Sequence, residues 1–248
     1  MSSAGALPRR AATAIIAAIL GCAAAAWLVT AQQAASMAAM GGMAIVGGGL
    51  FLVTWVVMMV AMMFPAFAPM VLTHAGVLRL RGEGPIGTVA LVVGYLVVWT
   101  AAGLVLLGVM QLLGSSIAAP VDGRLPRLGG AIVVLAGIYQ LTPLNNACLG
   151  ACRSPLGFIL SHDFGIGTSA AARTGLLHGL QCVGSCGALM AVLAVLGLMN
   201  LPWMAVFTVV FFLEKTWRHG LGLSRVAGAA CVILGLTVII RPDVLNLL

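Results

Sequence analysis

The sequence predicts an all-α fold, a polytopic bundle of six to seven transmembrane helices, and three observations predict it. Only 7% of the 248 residues are charged while 62% are hydrophobic, whereas a water-soluble domain carries about 25% charged residues. Mean hydropathy is +1.17, so there are too few charges to clothe a water-facing surface, and the solvent of such a chain is mostly lipid. At about 20 residues per crossing, the length leaves room for roughly six to eight helices and for no sizeable soluble domain beside them. Residues 1–248 therefore read as one membrane domain.

Net charge is +7, from 12 Lys and Arg against 5 Asp and Glu. In a lipid-embedded chain such an excess marks cytoplasmic loops and anionic headgroups. The bilayer, not nucleic acid, is the partner it points to.

Apolar runs punctuated by charges, Gly and Pro give the elements in order. The first, Ala11–Ala31, follows Arg9 and Arg10; it exceeds the apolar core of about 7–15 residues that a secretion signal carries, and further runs follow it, so it reads as a helix. The second, Ile45–Leu72, is long enough to need a tilt or a break, and Pro65 and Pro69 would supply a break near its end. Ile86–Leu113 is the third, followed by a turn-rich connection over Ser115–Arg127. The fourth, Leu128–Leu141, and the sixth, Pro202–Leu213, are short, which makes the count six or seven. Thr174–Met199 and Ser224–Ile240 are the fifth and seventh. Pro143–Arg173 reads as one long loop, of the kind that is more often functional than accidental.

Basic residues set an expected orientation. With the N-terminus in the cytoplasm, seven crossings place Arg9, Arg10, Arg79, Arg81, Arg153, Arg173, Lys215, Arg218 and Arg225 inside, and only Arg124, Arg127 and Arg241 outside. The expected location is the inner membrane of the cell.

Chemistry in this chain is concentrated in sulfur, with 13 Met and 6 Cys. Met37, Met40 and Met43 recur every third residue in the first outer connection, a candidate point of intake. Met58, Met59, Met62 and Met63 follow; residues four apart share a helix face, so Met58 with Met62 and Met59 with Met63 form two thioether pairs. Thioethers favour soft ions, above all Cu(I), and bind without losing a proton. Met is also an ordinary gap filler of helical cores, the plainer reading of either cluster.

In the fifth run His178, Cys182, Cys186 and Met190 recur every four residues. Four residues turn a helix by about 400°, so the stripe stays on one side along about 18 Å of axis. An imidazole, two thiols and a thioether in line suit a soft or borderline cation, and polar groups inside a bilayer tend to face a functional interior. Against this stand small buried thiols acting as hydrophobes and a His bonded to a neighbouring helix. Cys148 and Cys152, in the long loop, are either a metal pair or a reversible disulfide. His162 and Asp163 in the same loop are further candidates with loop polarity as the plainer account. Glu214, next to Lys215, is an interfacial ion pair or a carboxylate that admits a cation. Cys22 and Cys231 read as packing, and His74 and His219 as interfacial.

Three motifs carry a resemblance. Trp55, Met58, Ala61, Met62, Met63, Pro65 and Pro69 form the first; Thr142-Pro143-Leu144 with Cys148, Cys152, Arg153, Ser154 and Pro155 the second. The third is His178-Gly179-Leu180, Cys182, Gly184, Cys186, Leu189-Met190, Gly197, Met199-Asn200, Trp203-Met204 and Glu214-Lys215. In this order, over about residues 55–215, they resemble a bacterial family of unknown function described as predicted metal-binding integral membrane proteins. The resemblance implies metal binding and a membrane location, and copper is the metal it favours. The family reads Gly-Cys-Cys-Trp where this chain has Gly184-Ser185-Cys186-Gly187, so one thiol and one aromatic are missing.

Together these readings lead to binding and transfer of a soft metal ion, Cu(I) foremost, by a transporter or membrane metallochaperone. Its partner would be a copper chaperone or a cuproenzyme assembly factor. No familiar nucleotide motif is present. The alternative is a thiol–disulfide carrier that uses Cys148/Cys152 and Cys182/Cys186. It faces a geometric objection within the helix: positions four apart hold their Cβ atoms about 5–6 Å apart, and a disulfide wants about 3.5–4.5 Å. A third reading makes the sulfur mere packing in an assembly subunit.

Overall fold

A computed structural model of the chain describes residues 7–39, 48–116, 124–162, 165–198 and 200–242. Among these the regular structure is entirely helical: α1 (Arg9–Ala39), α2 (Gly48–Leu80), α3 (Ile86–Ser116), α4 (Arg124–Gln140), α5 (Pro143–Arg153), α6 (Pro155–Ser161), α7 (Thr168–Leu196), α8 (Leu201–Thr216) and α9 (Gly220–Ile240). Five of them, α1, α2, α3, α7 and α9, are long and apolar enough to cross a membrane; α4 and α5 add a sixth crossing if the pair, bent by 64°, is one broken span. Exposed Leu104, Val105, Leu112, Val226 and Ile233 are outward-facing apolar side chains of the kind a lipid-facing surface carries.

Three expectations are corrected. The run at Pro202–Leu213 does not supply a seventh crossing: α8 has 16 residues, or about 24 Å of rise against a hydrocarbon core of about 30 Å. Pro65 and Pro69 do not end the second helix, which runs on to Leu80. Proline is tolerated in a buried apolar helix because neighbouring groups take up the freed backbone. The supposed loop Pro143–Arg173 is largely helical, holding α5, α6 and the first turns of α7. Helix α5 starts where Thr142 caps it, its hydroxyl oxygen accepting from the Asn145 N–H at 3.3 Å, with Pro143 in the first turn.

The chain divides into two compact units, Met1–Gly103 with Gly150–Val183, and Leu104–Leu149 with Gly184–Leu248. In the first, α1 and α6 pack on α2, and α2, α3 and α7 pack on one another, meeting at Phe67, Tyr95 and His178. Trp55 meets Gly103, and Leu78 meets Gly87, so α2 and α3 are antiparallel. The contacts of α3 with α7 rise together, Leu91 with Gly175 and Tyr95 with Gly179, so these two helices are parallel. It follows that α2 and α7 are antiparallel. The α3–α7 crossing is close because it is lined by glycine: a Cβ at Gly94 would run into the Ala172 carbonyl oxygen, and one at Gly175 into that of Leu91. In lipid, where apolar surface gains little from association, this backbone approach is a main source of helix–helix attraction.

In the second unit α4 packs along α9, and α8 on α9. Glycines seven apart on each helix face the other: a Cβ at Gly130 would lie 2.9 Å from the Gly235 carbonyl oxygen, and one at Gly137 2.6 Å from that of Gly228. Gly197, at φ +105°, ends the helix that precedes α8. The Asn200 side chain then caps α8 by accepting from the Trp203 N–H at 3.4 Å.

Candidate functional site

The soft ligands of the first unit lie on α2 and α7, helices that meet where Phe67 packs on His178. Met58, Met59, Met62 and Met63 are all at most 1% exposed, Cys182 is fully buried and His178 is 3% exposed. Such burial is needed for a transfer site sealed from water, although core packing alone would give the same values. The arrangement around them discriminates further. Phe67 stacks on Tyr95 with ring centroids 4.1 Å apart, and on His178 at 5.4 Å. The Tyr95 hydroxyl lies 3.2 Å from the Cys182 sulfur. Three helices therefore converge on one imidazole and one thiol, and the thiol has a polar partner inside an apolar bundle.

Helix periodicity extends this frame to the methionines. Met59, Met63 and Phe67 are spaced four apart and share a face of α2; Thr174, His178 and Cys182 do the same on α7. Because the helices run in opposite directions and Phe67 pairs with His178, one turn along each brings Met63 to the level of Cys182. A thioether and a thiol at one level, with an imidazole one turn away, form a donor set matched to a soft cation. The Trp55 indole N–H closes the far end, donating to the Trp99 carbonyl at 2.8 Å.

The remaining candidates are distributed as follows. Cys152 is buried on α5, in the first unit. In the second unit Cys186 is fully buried and Met190 is 4% exposed on the continuation of α7. Cys148 is half-buried on α5, and its sulfur sits against the backbone of Gly184, where a Cβ would lie 2.7 Å from it. Gly184 also receives the Tyr139 hydroxyl on its carbonyl at 2.7 Å. Two residues on a helix point about 200° apart, so Cys148 lies on the side of α7 turned away from Cys186.

Glu214 and Lys215 are both buried, 0% and 8% exposed, not spread at an interface. Ser224 lies against the Glu214 carboxylate. Asn145 donates to the Ser224 hydroxyl at 2.9 Å and to the Gln140 carbonyl at 3.1 Å. This is a second polar cluster, built from α4, α5, α8 and α9. Met40 and Met43 lie outside the described residues, as does Asp163; Met37 is in the last turn of α1, its side chain outside the description.

Among the described residues no three side chains of the His, Cys, Asp and Glu types gather closely enough to share one ion. Two residues that sequence reasoning set aside prove central to the first unit. Tyr95 carried no motif signal, because its role depends on a contact across two helices. His74 was read as interfacial but is 5% exposed, inside α2; its place on the Phe67 face, seven residues on, was the available signal.

The search of curated proteins and the search of solved structures each return no match. A family model described as PpoB2, copper chaperone, matches residues 52–238, three quarters of the chain, and covers every described residue of the site from Trp55 to Glu214. The chain belongs to that family.

Proposed function

We propose that this protein is a membrane-embedded copper chaperone that takes up Cu(I) on buried thioethers, passes it to the Cys182 thiolate and delivers it to an acceptor protein. One observation carries the reading: in a member of a copper chaperone family, the thiol of Cys182 is fully buried, held by Tyr95, one turn from His178 and level with Met63. Neutral thioethers bind Cu(I) weakly and need no proton removed, while a thiolate binds it more tightly and releases a proton on binding. Methionine before cysteine is thus a downhill order for ligand exchange, and transfer along it needs no nucleotide hydrolysis.

With six crossings the basic residues divide seven to five in favour of a cytoplasmic N-terminus, most clearly over the first crossings, where Arg9, Arg10, Arg79, Arg81, Arg153 and Arg173 stand against Arg124 and Arg127, and the reading takes movement as inward across the cell membrane. Met37, Met40 and Met43 are then the intake. Cys186 and Met190 extend the α7 stripe beyond Cys182, Cys148 and Cys152 are further thiols of α5, and Glu214 supplies charge in the second unit. The partner is a copper-accepting protein, either a soluble copper chaperone or an assembly factor for a copper enzyme. Delivery without net transport, and transport itself, share these ligands.

The thiol–disulfide alternative loses its pairs. Cys148 and Cys152 are four apart on a helix, as Cys182 and Cys186 are, which holds each pair's Cβ atoms about 5–6 Å apart where a disulfide wants about 3.5–4.5 Å.

The test is copper bound per purified protein, together with cellular copper in a deletion strain. The expected result is stoichiometric Cu(I), lost on Cys182→Ala with Cys186→Ala, and altered copper in the strain. Unchanged copper in both measurements would overturn the reading.

A further inference from the structure

We infer that the first unit holds a second copper site, at which the imidazoles of His74 and His162 receive Cu(I) from Cys182 and hand it on; the inference rests on the copper reading above. The two histidines line one cavity, which Arg81, Glu83, Gly167 and Thr174 help to enclose. It measures about 20 Å³, room for a bare ion or a water.

The ligand atoms are legible in the hydrogen bonds. His74 is 5% exposed, and its Nδ1 is buried with no hydrogen-bond partner. A buried imidazole nitrogen left without a partner is costly, and a metal ion is one occupant that removes the cost. His162 is the complement. Ser161 donates its hydroxyl to the Phe158 carbonyl at 3.1 Å, so its oxygen is left to accept at 2.9 Å from His162 Nδ1, which also lies 3.2 Å from that same carbonyl. Both neighbours call for the proton on Nδ1, and the lone pair therefore resides on Nε2. An imidazole oriented through one N–H and binding through the other nitrogen is the usual form of a histidine ligand. Two neutral imidazoles form a two-coordinate set that Cu(I) accepts.

Charge and position agree with this assignment. Glu83 accepts the Gly167 N–H on Oε2 at 2.8 Å, while its Oε1 is buried with no partner. One carboxylate oxygen is thus left to offset the single positive charge that Cu(I) would bring. The loop that holds it is tied down by Arg81, which donates to the Gly165 carbonyl at 2.8 Å. Gly165 and Gly167 have φ of +90° and +101°, which side chains other than glycine rarely adopt.

A path from the thiol is present. Thr174 in the cavity wall is one turn from His178, which is one turn from Cys182. Phe158 lies edge-on to His178 at 5.4 Å and stacks on His162 at 4.7 Å. The line Cys182, His178, His162 follows packed rings, and His74 continues the Phe67 face of α2 into the same cavity. The step is a ligand exchange: copper–sulfur bonds break, copper–nitrogen bonds form, the released thiolate takes back from water the proton that loading gave up, and the metal remains Cu(I).

The test is anaerobic titration of Cu(I) into the full-length protein in detergent, with bicinchoninate as competitor and copper-edge X-ray absorption as the readout. Imidazole scattering is expected beside sulfur scattering in the unsubstituted protein. His74→Gln with His162→Gln should abolish the imidazole component, keep the sulfur component, and slow transfer to bicinchoninate at least about tenfold, the lower range of what losing a metal ligand's supporting partners alone costs. Cys182→Ala should lower the sulfur component to what the thioethers supply and leave imidazole scattering in the spectrum. Sulfur scattering alone in the unsubstituted protein, or an unchanged spectrum and transfer rate in the double variant, overturns this site and leaves the chaperone reading standing. Failure of the unsubstituted protein to bind any copper overturns both.

Discussion

The hydroxyl of Tyr95 on α3 lies 3.2 Å from the sulfur of Cys182 on α7. The pair links two helices whose backbones are already pressed together at Gly94 and Gly175. Its chemical consequence is that a phenolic O–H can donate to the sulfur when Cys182 is a thiolate, the form that binds metal.

Tyr95→Phe keeps the stacking on Phe67 and removes the hydroxyl that reaches Cys182. A bond to a charged partner contributes about 1.5–3 kcal/mol, so Cu(I) affinity should fall roughly ten- to hundredfold. Competition with a chromophoric chelator measures it, and helix content by circular dichroism should not change. Equal affinity in the variant would remove Tyr95 from the site.

Met59→Leu with Met63→Leu separates packing from ligation. A volume-conserving swap in a core costs less than about 1.5 kcal/mol, so thermal stability should move little. Copper uptake should slow markedly, because the thioethers offered beside Cys182 are gone. If uptake by the double variant matches the parent, these methionines are packing.

Gly175→Val should be among the most damaging single changes in the first unit. A side chain there meets the Leu91 backbone, which has no room to yield, and overpacking of this kind costs about 1–3 kcal/mol. At about 2–4 °C per kcal/mol for a chain of this size, the melting temperature in detergent should drop accordingly. Gly222→Ala is the control: nothing lies within 4 Å of its Cβ position, and the effect should be neutral or slightly stabilising.

Mild oxidation followed by mass spectrometry should find neither a Cys182–Cys186 nor a Cys148–Cys152 disulfide, since both pairs are four apart on helices. Recovery of either bond in protein that retains its helix content would reinstate the redox carrier.

Much of the site was legible one helix at a time. The stripe from His178 to Met190 and the pairs Met58/Met62 and Met59/Met63 follow from the 3.6-residue period alone. Helix α5 was missed because Pro, Asn and Gly in one short stretch look like a loop. Thr142 before Pro143, a cap followed by a first-turn proline, was the signal that contradicted that reading. Cys148 was grouped with the α7 thiols because spacing carries no information about which side of a neighbouring helix a residue reaches. Its sulfur rests on Gly184, away from Cys186.

What the sequence determined by itself was the solvent and the element type. With 7% charged residues, no arrangement of this chain can present a polar surface to water, and in lipid a chain without strand signals must satisfy its backbone within helices. Which sulfur meets which ring was decided only by tertiary structure. That choice depends on crossings set by glycines about eighty residues apart, such as Gly94 on α3 and Gly175 on α7. Close packing between helices is short-ranged and specific to shape, so it leaves no periodic trace in either segment alone.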